Sequence, residues 1–168
     1  METIKLVGRN IKELPEDIRT QKDALVLDAH YNKLKEIPSW ISEFSCLKEM
    51  NLAVNLLSAL PPEIGMLASL EILALTKNKL KSLPEEIGQL KKLKLLQLDL
   101  NPQLKVLPVA ITQLESLEEL NLQGTKIASL PKELALLPNL KKINIIGTPI
   151  QEVPPEIISK GIRIFQSK

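Results

Sequence analysis

The chain contains very few of the side chains that most catalytic and ligand-binding chemistries require. Of its 168 residues, only one is a cysteine, one is a histidine and four are aromatic. The single cysteine, Cys46, excludes an internal disulfide, and the sequence offers no cluster of cysteines and histidines that would hold zinc. The shortage of aromatic rings argues against a surface on which nucleic-acid bases would stack.

Charge and hydropathy remove further classes of function. The formal net charge is +2, which does not favour nucleic-acid binding. No apolar run reaches the roughly 18 residues of a membrane-spanning helix, and the start of the chain, METIKLVGRN, lacks the apolar stretch of a secretory signal. We therefore expect no membrane span and a cytoplasmic protein, with a secreted or surface location left open if a signal peptide has been removed.

The sequence does contain a repeat. A proline follows a leucine-like residue at intervals of 23 residues, with one interval of 24, and the series consists of Pro15, Pro38, Pro61, Pro84, Pro108, Pro131 and Pro154. A polar residue precedes each proline by six or seven positions, in the series Arg9, Asn32, Asn55, Asn78, Asn101, Thr125 and Thr148. Two independent series with one period predict about seven structural repeats that form a single domain over residues 1–168.

Each repeat combines two hydrophobic periods. Leu73 and Leu75 alternate with other residues, which predicts a short strand, whereas Leu80, Leu83 and Ile87 follow at the spacing of a turn and a short helix or 3₁₀ segment. The proline should open that segment, because its missing N–H is not needed there. Since one unit cannot bury its apolar side alone, stacked units predict an α/β solenoid with one parallel sheet. Residues 161–165, GIRIF, predict a last short strand in a shifted register.

The unit L-x-x-L-x-L-x-x-N-x-L-x-x-L-P-x-x-I-x-x-L-x-x resembles the leucine-rich repeat family, in the 23-residue form of intracellular Ras-pathway scaffolds and many bacterial repeat proteins. The resemblance implies a horseshoe with the parallel sheet on the concave face and short helices or 3₁₀ turns on the convex side. It also implies that the polar series is a structural ladder, whose side chains bond buried backbone groups of neighbouring turns. That ladder comprises Asn32, Asn55, Asn78 and Asn101, with Thr125 and Thr148 as partial substitutes.

The outward positions of the concave face are the candidate contact residues. Its apolar candidates, which are expected to act as anchors, are Tyr31, Val54, Ile72, Leu95 and Leu100. The four aliphatic side chains among them are expected to be exposed. Its polar candidates, which would supply specificity, are Asp28, His30, Asn51, Thr76, Lys77, Gln97, Asp99, Asn121 and Gln123. Such a mixed surface suits a protein partner, and we predict a monomeric, non-catalytic interaction module without a cofactor.

The partner itself is left open by the residues. The resemblance implies either a small GTPase or another signalling protein, as for the intracellular scaffolds, or a host or envelope component, as for the bacterial proteins. A recognition or scaffold subunit of an enzyme assembly is the alternative from another class. Sugar binding is disfavoured by the low aromatic content.

Three further features carry alternative interpretations. Lysines recur just after the strands, where they would meet an acidic partner or keep a sheet rim soluble; they are Lys12, Lys33, Lys35, Lys79, Lys81, Lys105 and Lys126. Trp40 is expected on the convex side, in local packing or at a second contact site. Asp28 and Asp99 lie about three repeats apart, roughly 14 Å at the usual strand spacing, which is too far for a catalytic carboxylate pair.

Overall fold

One parallel sheet runs through the whole protein, with one short strand from each repeat. The structure is a computed structural model that describes residues 2–167. Its strands are β1 (Thr3–Lys5), β2 (Val26–Asp28), β3 (Glu49–Asn51), β4 (Ile72–Ala74), β5 (Leu95–Gln97), β6 (Glu119–Asn121), β7 (Lys142–Asn144) and β8 (Arg163–Phe165). They lie in chain order from β1 to β8, so each repeat stacks on the one before it, as the solenoid interpretation predicts.

The register brings equivalent residues of successive repeats side by side. Leu73 pairs with Leu96, and Asn51 pairs with Ala74, at the 23-residue interval of the sequence. The interval is 24 between β5 and β6, where Leu95 pairs with Glu119. The turn after β5 absorbs the extra residue, and Leu104 N–H donates to the Asn101 carbonyl at 3.1 Å. Strand β8 lies within the 161–165 stretch and pairs at a shorter interval, since Arg163 lies opposite Lys142.

The convex side consists mainly of short 3₁₀ helices. These span Glu16–Gln21, Ser39–Glu43, Pro62–Met66, Glu85–Gln89, Val109–Gln113 and Lys132–Leu136, and the last repeat has a short α-helix, α1 (Pro155–Ser159). The repeat proline lies one residue before each segment rather than inside it. Pro84, for example, is extended with a ψ of 152°, and its carbonyl accepts the Ile87 N–H at 3.1 Å. The fixed φ of proline suits this extended approach to the helix.

The hydrophobic core is continuous from the first repeat to the last. The inward strand residues and the 3₁₀ helices fill the space between the two faces, and Leu70, Leu73, Leu75, Leu80 and Ile87 are all fully buried. Each such side chain contributes roughly 1.5–3 kcal/mol by leaving water. The core positions therefore hold the sheet against the convex side and give the concave face a rigid backing.

Trp40 lies on the convex side and is half-buried against the core. Its ring centroid is 6.2 Å from that of Phe44, and the Arg19 guanidinium lies 5.8 Å from the Trp40 centroid. Arg19 in turn pairs with Glu43 at 2.5 Å. These contacts account for Trp40 as local packing between the first two repeats.

None of the helices within residues 2–167 has the length and apolar character that crossing a membrane requires.

A matched pair of leucine substitutions tests the register. Leu75→Ala should lower the free energy of unfolding by about 2–5 kcal/mol, because it leaves a cavity in a close-packed core. Leu136→Ala removes the same atoms from a side chain that is 77% exposed and should change it by less than about 0.5 kcal/mol. Urea denaturation of both variants measures the difference, and equal losses would show that the inward and outward positions are wrongly assigned.

Candidate protein-binding face

The outward side chains of the strands form ordered columns across the concave face. Asp28, Asn51, Gln97 and Asn121 stand at the last position of their strands, so the register lines them up in one row. Ala74 fills the same position in β4 but is only 8% exposed, because its small side chain lies between the longer ones of Asn51 and Gln97. The concave surface is therefore recessed at Ala74, near the middle of the sheet.

The aliphatic candidates are less exposed than sequence analysis suggested. Leu100 is 46% exposed, but Val54, Ile72 and Leu95 are only half-buried rather than exposed. Ile72 and Leu95 are direct cross-strand neighbours, and strands about 4.8 Å apart allow such side chains to cover each other. They form a small apolar patch that is already partly shielded from water.

A polar cluster occupies the face near its first repeats. His30 Nδ1 lies 2.6 Å from Asp28 Oδ1 and 3.4 Å from Asn51 Nδ2. The imidazole ring is 5.1 Å from the ring of Tyr31, which is 61% exposed. These contacts hold the only histidine and the only tyrosine of the chain in fixed positions beside each other.

Further along the face, polar side chains are also held by hydrogen bonds. Thr76 Oγ1 donates to Asp99 Oδ1 at 2.9 Å, and Asn144 Nδ2 donates to Gln123 Oε1 at 3.1 Å. Asn121 Oδ1 accepts the backbone N–H of Gln123 at 3.2 Å. These hydrogen bonds fix the rotamers of the side chains in the free protein.

Behind this face, the asparagine series forms a ladder inside the turns. Asn78 is typical: its Nδ2 donates to the carbonyls of Leu52 and Leu75 at 3.0 and 3.1 Å, and its Oδ1 accepts the N–H of Leu57 at 3.0 Å. The same pattern recurs at Asn32, Asn55 and Asn101. Each amide therefore joins its own turn to that of the preceding repeat.

The two threonines of the series make fewer bonds. Thr125 Oγ1 donates to the Leu122 carbonyl at 2.8 Å, and Thr148 Oγ1 donates to the Ile145 carbonyl at 2.7 Å. Both acceptors belong to the same repeat as the threonine. A hydroxyl is too short and has too few donors to replace the amide, so the last turns are linked less strongly than the middle ones.

The residue before each ladder position has a left-handed backbone, which sequence analysis missed. Its φ is positive in all seven repeats, at Gly8, Tyr31, Val54, Lys77, Leu100, Gly124 and Gly147. Glycine adopts this conformation freely, whereas other residues do so at a cost of about 1 kcal/mol or more. The signal was present in the sequence, because three of the seven repeats carry glycine at this position. In the four other repeats, a larger residue adopts this conformation despite its energetic cost, and its side chain projects from the turn.

The two flanks of the sheet differ in their charges. On the flank that leads into the strands, lysine–glutamate pairs join adjacent repeats: Lys94–Glu71 and Lys141–Glu118 at 2.6 Å, Lys142–Glu119 at 3.0 Å and Lys91–Glu115 at 3.3 Å. On the opposite flank, within residues 2–167, none of the lysines that follow the strands is in an ion pair. The lysines of that flank are all exposed.

The paired flank contributes a small dependence of stability on pH. The hydrogen bond from Lys94 holds the pKa of Glu71 below its ordinary value. A carboxyl group with a lowered pKa stabilises the fold while it is ionised, and that contribution is lost as the pH falls through the lowered pKa. Both side chains are solvated, so the effect is modest.

No catalytic constellation accompanies these features in the part of the chain that the structure describes. His30 lies on the concave face and bonds to Asp28, while Cys46 follows the 3₁₀ helix of its repeat on the way to β3. Residues 2–167 contain no group of three or more histidine, cysteine, aspartate or glutamate side chains arranged to hold a metal ion.

The repeat geometry has close counterparts among known proteins. A family model described as a leucine-rich repeat region matches residues 41–123. A solved leucine-rich repeat protein of Leptospira interrogans is 36% identical to this chain, with a TM-score of 0.88 over 94% of this chain and 40% of the other. The chain is a leucine-rich repeat protein.

Two other solved structures show how widely this repeat architecture is used. An internalin of Listeria monocytogenes has 16% identity and a TM-score of 0.84, over 99% of this chain and 46% of its own. The plant peptide hormone receptor RGFR1, solved in complex with RGF2, has 25% identity and a TM-score of 0.74, over 99% of this chain and 28% of its own. This leucine-rich repeat chain thus spans less than half of each of these three proteins. A search of curated proteins found no match.

The ladder gives a test that separates asparagine from threonine. Asn78→Ala should lower the free energy of unfolding by more than about 2 kcal/mol, because it leaves the buried N–H of Leu57 and the carbonyl of Leu52 without that partner. Thr148→Ala loses one hydrogen bond within one repeat and should cost about 1 kcal/mol. Chemical denaturation of the two variants measures both values. A loss at Asn78 no larger than that at Thr148 would contradict the role of the amide in joining repeats.

Proposed function

We propose that this leucine-rich repeat protein is a non-catalytic interaction module that binds a protein partner through its concave face. The observation that carries the proposal is the patch of Ile72 and Leu95, two half-buried aliphatic side chains with polar side chains around them. An apolar centre with a polar surround is the composition of protein–protein interfaces. Glu49 and Glu119 flank this patch in its own row, and the polar candidates Asn51, Gln97 and Asn121 stand in the next row, at the last position of their strands.

The rigidity of the face supports the same function. Its side chains are held by hydrogen bonds such as Thr76–Asp99 and Asn144–Gln123, and its backbone is fixed by the core and the ladder. A preformed surface loses little conformational entropy on docking, so more of the contact energy appears as affinity. The relative solved with RGF2 is itself a receptor for a peptide hormone, which is consistent with this use of the repeat architecture.

The sequence identity to the Leptospira interrogans protein favours the class of bacterial repeat proteins for this chain. Its partner would then be a host or envelope component. The alternative is the scaffold or recognition role in a signalling assembly, such as a small-GTPase pathway, which the repeat type itself suggests. The two differ in where the partner is found, in host material or in the cell that makes this chain.

The proposal is tested by affinity capture with three baits, followed by quantitative mass spectrometry. The first bait is the intact chain, and the second carries Ile72→Glu and Leu95→Glu on the concave face. The third carries Val109→Glu and Leu136→Glu, which add the same charge at exposed positions on the convex side. Cell extract and candidate host lysate are used in parallel.

A partner should be captured equally by the intact and convex-substituted baits and reduced about a hundredfold by the concave substitutions, because a carboxylate placed in an apolar contact is left without a partner. Circular dichroism should confirm that all three baits are folded. Equal capture by all three, or loss with the convex variant alone, would contradict binding at the concave face.

A further inference from the structure

The turns that follow the strands carry one sign of charge in the middle of the protein. Residues 54–60, 77–83, 100–107 and 124–130 connect the strands to the prolines of four successive repeats and contain no aspartate or glutamate. They carry five exposed lysines, which we call the basic ridge: Lys77, Lys79, Lys81, Lys105 and Lys126. Within residues 2–167, no ion pair involves any of them, in contrast to the paired opposite flank.

Protection of a sheet edge does not explain these lysines. The unpaired edges of the sheet belong to β1 and β8 at the two ends of the molecule. The ridge follows the carboxyl ends of the central strands, whose backbone groups are already paired with neighbouring repeats. The lysines therefore form a positively charged surface beside the concave face rather than an edge device.

Two apolar side chains stand next to the ridge in an unfavourable backbone conformation. Val54 has a φ of 56° and Leu100 a φ of 57°, whereas Gly124 and Gly147 occupy the same position in later repeats. The turn therefore forms with glycine, and the larger side chains are not needed to build it. Strained residues that the fold does not require are typical of contact sites.

Unused backbone donors lie between these side chains. In the repeats of Asn51, Asn121 and Asn144, the side-chain oxygen accepts the backbone N–H two residues later, which shows that this N–H is directed towards the concave surface. In the repeats of Ala74 and Gln97, no side-chain oxygen of the described residues caps this N–H by accepting its hydrogen bond. Within residues 2–167, no hydrogen-bond acceptor is found for the N–H groups of Thr76 and Asp99. These two residues directly precede Lys77 and Leu100.

Most acidic groups of the concave face lie away from the ridge or are paired with a base. Glu119 pairs with Lys142 and Asp28 with His30, whereas the carboxylate of Asp99 accepts, among the described residues, only the hydroxyl of Thr76 and keeps its charge beside the ridge. Glu49 is exposed but stands at the start of β3, at the opposite end of the strand from the turns. An anion that approaches from the ridge therefore meets five lysines and the N–H donors against the single carboxylate of Asp99.

We infer that the turns of these four repeats form a docking surface for an acidic, extended polypeptide segment. Its carboxylates would meet the basic ridge, its apolar side chains would contact Val54 and Leu100, and its carbonyls would accept the N–H groups of Thr76 and Asp99. The aliphatic contacts and the main-chain donors favour a polypeptide over a nucleic acid, since Val54 and Leu100 offer no ring for a base to stack on. This inference rests on the proposed function and names the chemistry of the partner.

The first test uses a displayed library of random peptides of about twelve residues, long enough when extended to cross four repeats. Peptides selected on the intact chain should be enriched in aspartate and glutamate and should carry interspersed apolar residues. The affinity of one selected peptide is then measured by fluorescence anisotropy at several salt concentrations, and it should fall as salt rises.

A charge-matched pair of variants locates the contact. Lys79→Glu with Lys81→Glu should weaken binding of the selected peptide by about tenfold or more, because it reverses the ridge charge. Lys48→Glu with Lys92→Glu changes the net charge equally at exposed positions on the opposite flank and should alter the affinity by less than about twofold. Equal weakening by both pairs would contradict a specific site on the ridge.

Substitutions at the left-handed positions test the inference, because they should change the affinity for the peptide without lowering the stability of the fold. Val54→Gly with Leu100→Gly should leave the urea midpoint unchanged or raise it, because glycine accepts a positive φ. The same variant should lose about fivefold or more in affinity for the selected peptide. A lower midpoint with unchanged affinity would show that the two side chains serve the fold and would overturn their role in docking.

Failure of this inference differs from failure of the proposed function. If the selected peptides are neutral or basic and lose binding with Ile72→Glu and Leu95→Glu, the acidic partner is excluded while the concave interaction face stands. If no peptide is enriched, this inference is contradicted, whereas the proposed function is decided separately by the capture experiment with the three baits. Binding of a single-stranded DNA oligonucleotide as tight as that of the selected peptide would overturn the preference for a polypeptide.

Discussion

The structure depends on one hydrogen-bonding requirement, the satisfaction of buried backbone groups in the turn that follows each strand. The chain reverses direction there inside a packed stack, where water does not reach the carbonyls and N–H groups. A single asparagine amide serves both kinds of group, since its Nδ2 donates and its Oδ1 accepts. Because Asn78 takes partners from two repeats, the bond that closes one turn also sets the position of the next.

The geometry of the candidate binding face follows from that arrangement. The turn forces the residue before the asparagine into a left-handed conformation, and its side chain therefore projects outward beside the concave face. The leucines behind the strands fix the sheet, so the outward residues of neighbouring repeats stand in rows with a set spacing. The protein can then vary these outward residues with little effect on its core, which is how one architecture serves many partners.

The period, the strands, the core and the solenoid could all be predicted from the sequence, because they depend on repeated spacing of apolar residues. The details of the face could not. Val54, Ile72 and Leu95 are half-buried because neighbouring side chains cover them, which a register alone does not reveal. The pairing of His30 with Asp28 depends on rotamers. The left-handed turn was signalled by glycine at three of seven positions, and the choice of partner depends on surface chemistry that no spacing encodes.

Native-state hydrogen exchange of individual amides, followed by NMR on the free protein, tests this account most directly. If the asparagine ladder closes the turns, the N–H groups of Leu57 and Leu80, which donate to Asn78 and Asn101, should exchange only through global unfolding. The uncapped N–H groups of Thr76 and Asp99 should exchange far faster under the same conditions. Exchange of Leu57 and Leu80 as fast as that of Thr76 would show that the turns open locally and would contradict a preformed face.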